Sequence, residues 1–373
     1  MDVKQEIARH QDEMIEFLKE VVHLESPTQT KPAVDRCSAR LIEELEHCGA
    51  AAACYPQKKR GNLYVADLPG PETFSPLLVL LHTDTVWPVG TLAKMPFAVR
   101  EGRIFGPGVL DMKAGAVMTV FAIKYLTDNH LKPSRPIRIF INSSEEINWE
   151  ASDQLIRSLA EQAGPVLCLE PALPGGAVKF QRKGRMTVRV SVRGTSAHAA
   201  TPEKGVNAVE LLMETLNRIS ELRGNGVTVN IGRIHGGGKL NIVPARAAAG
   251  LDIRFWTEAK AREIKNFLRS RETDSGKSRV CISLLNQTPP MEATPAGDHL
   301  FHQAAKIASK LGLNLKKGKS GGGSDASIAS AAGAPVLDGL GPDGDGIHAE
   351  NEHLLISSWL ERTALLAELF RNL

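Results

Sequence analysis

Cysteine is scarce here and unsuited to cross-linking. Cys37, Cys48, Cys54, Cys168 and Cys281 are odd in number, and no two form a Cys-x-x-Cys pair. This usage excludes a disulfide framework and a cysteine zinc ribbon, and it fits a reducing cytoplasm. No apolar stretch reaches transmembrane length, and the start Met1-Asp2-Val3-Lys4-Gln5-Glu6 is polar rather than a signal-peptide core. The expectation is a cytoplasmic protein with no membrane partner. Aromatic residues are 5% of the chain, and no long basic stripe is interleaved with them. With 45 basic and 42 acidic residues the formal charge is +3, so nucleic acid is not an expected partner. The glycine runs Gly318-Lys319-Ser320-Gly321-Gly322-Gly323 and Gly236-Gly237-Gly238-Lys239 lack the Walker spacing, which excludes a phosphate cradle of that kind.

The chain does have size and alternation. Its 373 residues, 42% of them hydrophobic, can bury the cores of two domains. Residues 3–24 carry Ile7, Met14, Ile15, Leu18, Val21 and Val22 at helical spacing, and a second helix runs from Val34 to Cys48. Near-continuous apolar strands at Leu77–Leu81, Ile137–Asn142 and Val166–Leu169 are separated by helices over 113–128 and 150–162. Strands of that kind belong to a mostly parallel sheet covered by helices on both faces. The middle differs. Residues 186–192 alternate as a half-exposed strand does, and the order strand, helix, strand, strand, helix, strand follows to about residue 285. That is the pattern of a ferredoxin-like α+β sandwich. After Pro289-Pro290 come helices over 298–311, 325–332 and 353–371 and a strand at 335–337. The expected architecture is one α/β domain from 1–179 and 289–373, with a smaller domain of 180–288 inserted in it.

Acids and histidines stand just beyond the apolar strands. Leu77–Leu81 runs into His82-Thr83-Asp84, Ile137–Asn142 leads to Glu145-Glu146, and Val166–Leu169 ends in Glu170-Pro171. Asp111 follows a Gly-Pro-Gly turn, and His348 follows Gly346-Ile347. Charged groups beside a buried sheet are costly without partners. Histidines mixed with carboxylates therefore suggest a metal site at one sheet edge. Two ions sharing a carboxylate and a water suit so many ligands better than one ion does. Asp84, two residues past His82, is placed to accept from the imidazole nitrogen that is not on the metal. Glu145 and Glu146 are neighbours, so one is expected to face the metal and the other to serve as general base.

His82-Thr83-Asp84-Thr85-Val86, Gly106-Pro107-Gly108 with Asp111-Met112-Lys113-Ala114-Gly115, Glu145-Glu146, Glu170-Pro171 and His348 together resemble the di-zinc aminoacylase/carboxypeptidase family. Leu24-Glu25-Ser26-Pro27 and Trp87-Pro88-Val89-Gly90-Thr91-Leu92 resemble its glutamate carboxypeptidase branch most. The resemblance implies a zinc-exopeptidase-like catalytic domain and an inserted lid/dimerisation domain. It implies two Zn2+ per chain, with Co2+ or Mn2+ as other metals that the same ligands accept. His82 and Glu170 would hold one zinc, Glu146 and His348 the other, with Asp111 bridging, Glu145 as base and Asp84 orienting His82. In the inserted domain His198 would polarise the scissile carbonyl in a neighbouring subunit, and Asn241, Arg254, Gly322 and Gly323 would contact substrate. The implied partners are a small molecule or short peptide with a free carboxylate and a second copy of the chain, as a homodimer through the inserted domain.

The expected reaction is metal-dependent hydrolysis of an amide bond in an N-acyl amino acid or short peptide. Two other readings stand beside it: a deacylase of a small biosynthetic amino acid, and a non-catalytic metal-containing binding protein. Two features depart from the branch pattern. The loop from Asp343 to Glu352 is unusually acidic around His348, and Asn286-Gln287-Thr288-Pro289-Pro290-Met291 lacks an expected arginine.

Overall fold

The computed structural model describes residues 2–147 and 150–373. The chain forms two compact units, one of Met1–Phe180, Ala293–Ser320 and Ser324–Leu373, the other of Gln181–Glu292 and Gly321–Gly323.

In the first unit the long apolar strands form the middle of a six-stranded sheet. The order is Ala51–Tyr55, Leu63–Leu68, Ile137–Asn142, Leu77–His82, Val166–Cys168, Val336–Leu337. The last four run parallel, and the first two join antiparallel at one edge. All six residues of Leu77–His82 are buried, as a strand covered on both faces requires. One covering helix, Ala114–Asp128, is buried along nearly its whole length and approaches the sheet closely. A Cβ at Gly115 would lie 2.4 Å from the Leu169 carbonyl oxygen, so only glycine permits that approach.

Two expected helices differ. The helical periodicity over 3–24 is divided at His10 into Val3–Arg9 and Gln11–His23, each burying its own apolar positions. The last helix begins at Ile356, because His353–Leu355 is a strand paired with Arg103–Phe105. The His353 and Phe105 rings lie 5.1 Å apart across that pair, a contact that helical periodicity does not encode.

The second unit is an antiparallel sheet in the order Thr228–Gly236, Arg246–Phe255, Gly184–Arg193, Arg279–Thr288, with a two-residue edge strand Thr273–Asp274. Its chain order is strand, helix, strand, strand, helix, strand, with helices Ala208–Ser220 and Glu258–Arg269. Met186, Val188, Val190 and Val192 point into a core shared with Leu212, Leu216 and Ile264 from the helices. Their odd-numbered neighbours face the other way. Among the described residues, no helix is long and apolar enough to cross a membrane.

Candidate metal centre

The parallel strands of the first unit all end at the same sheet edge, where the chain turns out of its hydrogen-bonded ladder. His82 closes its strand there and is 2% exposed. Its Nε2 lies 3.2 Å from Asp111 Oδ1 and 3.6 Å from Glu170 Oε1. His348 Nε2 lies 3.4 Å from Asp111 Oδ2 and 3.2 Å from Glu146 Oε1. The two carboxylate oxygens of Asp111 thus face two different histidines. His82, Glu145 and Glu170 form one group of donor atoms within 4.8 Å of one another, and Asp111, Glu146 and His348 form another. His348 has a left-handed backbone (φ 61), a conformation that non-glycine residues rarely adopt and that recurs at functional sites.

The turn after Ile137–Asn142 explains how adjacent acids reach different groups. Asp84, fully buried, accepts the Glu145 amide on Oδ1 at 3.1 Å and the Glu146 amide on Oδ2 at 3.3 Å. Thr28 donates its hydroxyl to the same Oδ2 at 2.7 Å. This corrects the role expected for Asp84. His82 Nδ1 is 3.0 Å from the Asp84 backbone oxygen but 3.6 Å from its carboxylate, too long for a hydrogen bond. The carboxylate holds the Glu145–Glu146 turn instead, and the carbonyl of the same residue fixes the imidazole.

The motifs of the resemblance also acquire physical roles. Ser26 donates to the Thr83 carbonyl at 2.6 Å, and Glu25 accepts the Gly90 and Leu92 amides at 2.7 and 3.0 Å. Both brace the segment that follows His82. Lys113, buried, donates to the Val21 and Leu24 carbonyls at 2.9 and 3.0 Å, tying the Asp111 turn to the helix Gln11–His23.

The electrostatics are those of a cation site. Burial acts to lower the His82 imidazole, but hydrogen bonds to Asp111 and Glu170 outweigh it and hold it well above its ordinary value. Hydrogen bonds to Asp111 and Glu146 hold His348 up at about 10. Burial would raise Asp111, yet its contacts with His348 and His82 keep it far below the usual carboxylate range. Burial pushes Glu145 well above that range, and the charges of Glu170, Asp325 and Glu146 add to the effect. Four carboxylates therefore converge where two imidazoles and Lys179, 3.5 Å from Glu170 Oε2, supply the positive charge. Imidazole nitrogen and carboxylate oxygen in this ratio are the donors that divalent zinc, cobalt or manganese take. The residues fit a pair of such ions.

Three supporting residues had no local sequence signal. Glu352, 1% exposed, accepts the amides of Gly108, Leu110 and Asp111 at 2.9, 2.9 and 3.1 Å and the Trp87 indole N–H at 2.9 Å. One acid of the unusually acidic loop is thus spent on the turn that carries Asp111. Burial pushes Glu352 up to about 7, against the pull of those donors. Asp325 accepts from Asn142 Nδ2 at 2.8 Å, and burial raises it to about 7. Lys179 is the third. Glu352 and Asp325 meet their partners far away in the chain, and Lys179 meets Glu170 nine residues back.

The other candidates lie in the second unit. The Ala199 amide donates to the Asn241 carbonyl at 3.0 Å, which brings the His198 loop beside Asn241. His198 Nδ1 accepts the Ala200 amide at 3.1 Å, so one ring nitrogen caps its own loop. Arg254 donates to Asp252 at 2.9 Å and to the Gly321 carbonyl at 2.7 Å, while Arg182 donates to the carbonyls of Gly322 and Gly323 at 3.2 and 3.0 Å. Both arginines therefore hold the glycine run to this unit.

A model of Peptidase family M20/M25/M40 matches residues 78–372. The chain is similar to carboxypeptidase G2 of a Pseudomonas species, with 28% identity covering 97% of this chain and 90% of that one. It is also similar to succinyl-diaminopimelate desuccinylase of Acinetobacter baylyi, with 29% identity over 74% and 78% of the two chains. Among solved structures, aminopeptidase PepT of Bacillus cereus has the same fold, at TM-score 0.80 and 21% identity over 96% of this chain and 98% of that one. A Bacillus subtilis protein described as a dinuclear metal binding peptidase superposes at TM-score 0.76 and 14% identity, covering 97% and 98%.

Proposed function

The chain belongs to peptidase family M20/M25/M40, and from that premise we propose that His82, Glu170, Asp111, Glu146 and His348 hold a pair of divalent ions with Glu145 as general base. Its reaction is metal-dependent hydrolysis of an amide bond. The observation that carries the assignment is the fate of two successive acids. Glu145 joins His82 and Glu170, whereas Glu146 joins Asp111 and His348.

In this reading His82 and Glu170 would hold one ion and Glu146 and His348 the other, with Asp111, whose two oxygens face the two histidines, serving both. Bound ions of this class polarise a carbonyl and lower the pKa of water. Glu145 takes a proton from the water that attacks the amide carbon. A carbon–oxygen bond forms, the carbon–nitrogen bond breaks, and Glu145 passes its proton to the departing nitrogen. Asp84 holds the two glutamates at a fixed separation throughout.

Zinc is the metal of this reading. The substrates are N-acyl amino acids or short peptides with a free carboxylate, in keeping with the names of the carboxypeptidase and desuccinylase relatives. Arg254, Asn241, Gly322 and Gly323 are its substrate contacts, and His198 is its carbonyl polariser, acting across a homodimer in the cytoplasm. The test is amine release from a panel of N-acyl amino acids and dipeptides by the zinc-loaded enzyme and by Glu145→Gln. Turnover on at least one carboxylate-bearing substrate, abolished in the variant while the metal is retained, is the expected result. Undiminished turnover in Glu145→Gln would overturn the assignment of the base.

A further inference from the structure

One strongly charged surface takes no part in this chemistry. In the second unit, Arg185, Arg189 and Arg193 project from every fourth position of Gly184–Arg193, on the face opposite the buried valines. Arg193 stands directly opposite Arg246 on one neighbouring strand and Arg279 on the other. Three guanidinium groups thus lie side by side across three strands. Four residues along the same strand, Arg189 faces Gly250, and Gly250 faces Arg233 on the next strand.

Among the described residues, Arg189, Arg193, Arg233 and Arg246 form no ion pair. The two acids on this face are both engaged: Asp252 by Arg185 at 2.6 Å and Arg254 at 2.9 Å, and Asp274, at the sheet edge, by Arg279 at 3.8 Å. Like charges directly opposite one another weaken a sheet. An arginine row of this kind therefore opposes the stability of the unit until an anion sits on it. Arginine is also the cation whose planar fork grips carboxylate and phosphate groups in pairs.

The shape of the face narrows the ligand. Two adjoining grooves of about 700 and 630 Å³ share Arg189, His235 and Ala248, so the surface is an elongated channel rather than a closed pocket. Its floor is small, with Ala248, Gly250 and Ser191 between the arginines. Among the described residues no Phe, Tyr or Trp lines it, so the bases of a nucleic acid would find no stacking platform. Positions four residues apart on a strand are about 14 Å apart, too far for one small anion to bridge. An extended peptide repeats its own side chains at the same interval, with residues i and i+4 on one face.

We propose that this sheet face binds an extended, Asp- and Glu-rich segment of a partner protein. Carboxylates four residues apart would engage the Arg193–Arg246–Arg279 row and the Arg189–Arg233 pair. The proposal is independent of the metal centre.

The experiment is fluorescence anisotropy with a labelled peptide of alternating Glu and Ser. The same peptide with Gln for Glu and a thymidine oligonucleotide of equal charge are the comparison probes. The protein is the full chain, as wild type and as the triple variant Arg189→Ser, Arg193→Ser, Arg246→Ser, at about 0.1 M salt. The wild type should bind the acidic peptide and not its Gln counterpart, and the triple variant should bind at least about tenfold more weakly. Amide hydrolysis should be unchanged in the variant, and the acidic peptide should raise the melting temperature of the wild type alone. Three results would overturn the proposal: no binding of the acidic peptide, equal binding by the variant, or tighter binding of the oligonucleotide, which would give the face to nucleic acid.

Discussion

In the strand Leu77–His82 every residue is buried, whereas along Gly184–Arg193 buried and open residues alternate over the whole strand. The first strand can place charge only where it stops, and His82 stands at that point. The second carries charge along its length, and three arginines lie on its open side. Charge at the end of a buried strand lies in a low-dielectric setting, where its partners must be specified atom by atom. Charge on an open face is screened and tolerates loose partners. The two units thus display two uses of like charge: acids concentrated by burial so that they call for metal, and bases spread over a surface.

The contrast can be tested by removing charge from each side. The largest effect is expected for Glu145→Gln, which keeps the shape and removes the base. Its kcat should fall by roughly 10²–10⁴ with metal content unchanged, as read by steady-state kinetics alongside metal analysis. Next is Glu352→Gln, which leaves one fewer acceptor oxygen for the four donors that fix the Asp111 turn. Affinity for the second metal should fall by about 10–100-fold while the fold survives, as measured by metal titration and circular dichroism. Unchanged affinity would reduce Glu352 to a structural role.

Asp325 gives a pH signature. Its carboxyl is raised to about 7 when folded, against 3.8 for the ordinary group. The folded state therefore binds its proton more tightly than the unfolded state does. The contribution of this group to the stability of the metal-free protein should be undiminished below about pH 4 and should turn destabilising as pH rises towards about 7. The loss belongs to this one group and is on the order of a few kcal/mol. Asp325→Asn should flatten that part of the profile, measured by denaturant unfolding of chelator-treated protein. The smallest effect belongs to the open face. Arg193→Thr should stabilise the unliganded chain by about 0.5 kcal/mol by breaking the arginine row, as read from the denaturation midpoint.

The same contrast decides how much was legible beforehand. The parallel sheet shows in the sequence because a strand buried on both faces must be apolar, as Leu77–Leu81 is throughout and Ile137–Ile141 is apart from Arg138. The proposed ligands His82, Asp111, Glu146, Glu170 and His348 and the proposed base Glu145 stood out because charge next to such strands needs a reason. The supports did not stand out. Glu352 serves amides more than two hundred residues away, as at Gly108, with a sequence separation of 244. Nothing near Lys179 or Asp325 marks them as neighbours of Glu170 or Asn142. The Asp84 role was misjudged because spacing shows that a carboxylate is near His82 but not which way it turns. The short strand His353–Leu355 was hidden because three residues give no period to read.

The central claim is that one carboxylate, Asp111, is shared between two ions. Its most direct test is the number of zinc ions per chain, measured by mass spectrometry after loading and desalting, in the wild type and in Asp111→Asn. The account predicts about two ions in the wild type and loss of at least one in the variant, with the fold intact by circular dichroism. A wild type that takes up no metal, or an Asp111→Asn protein that still holds both ions, would contradict it.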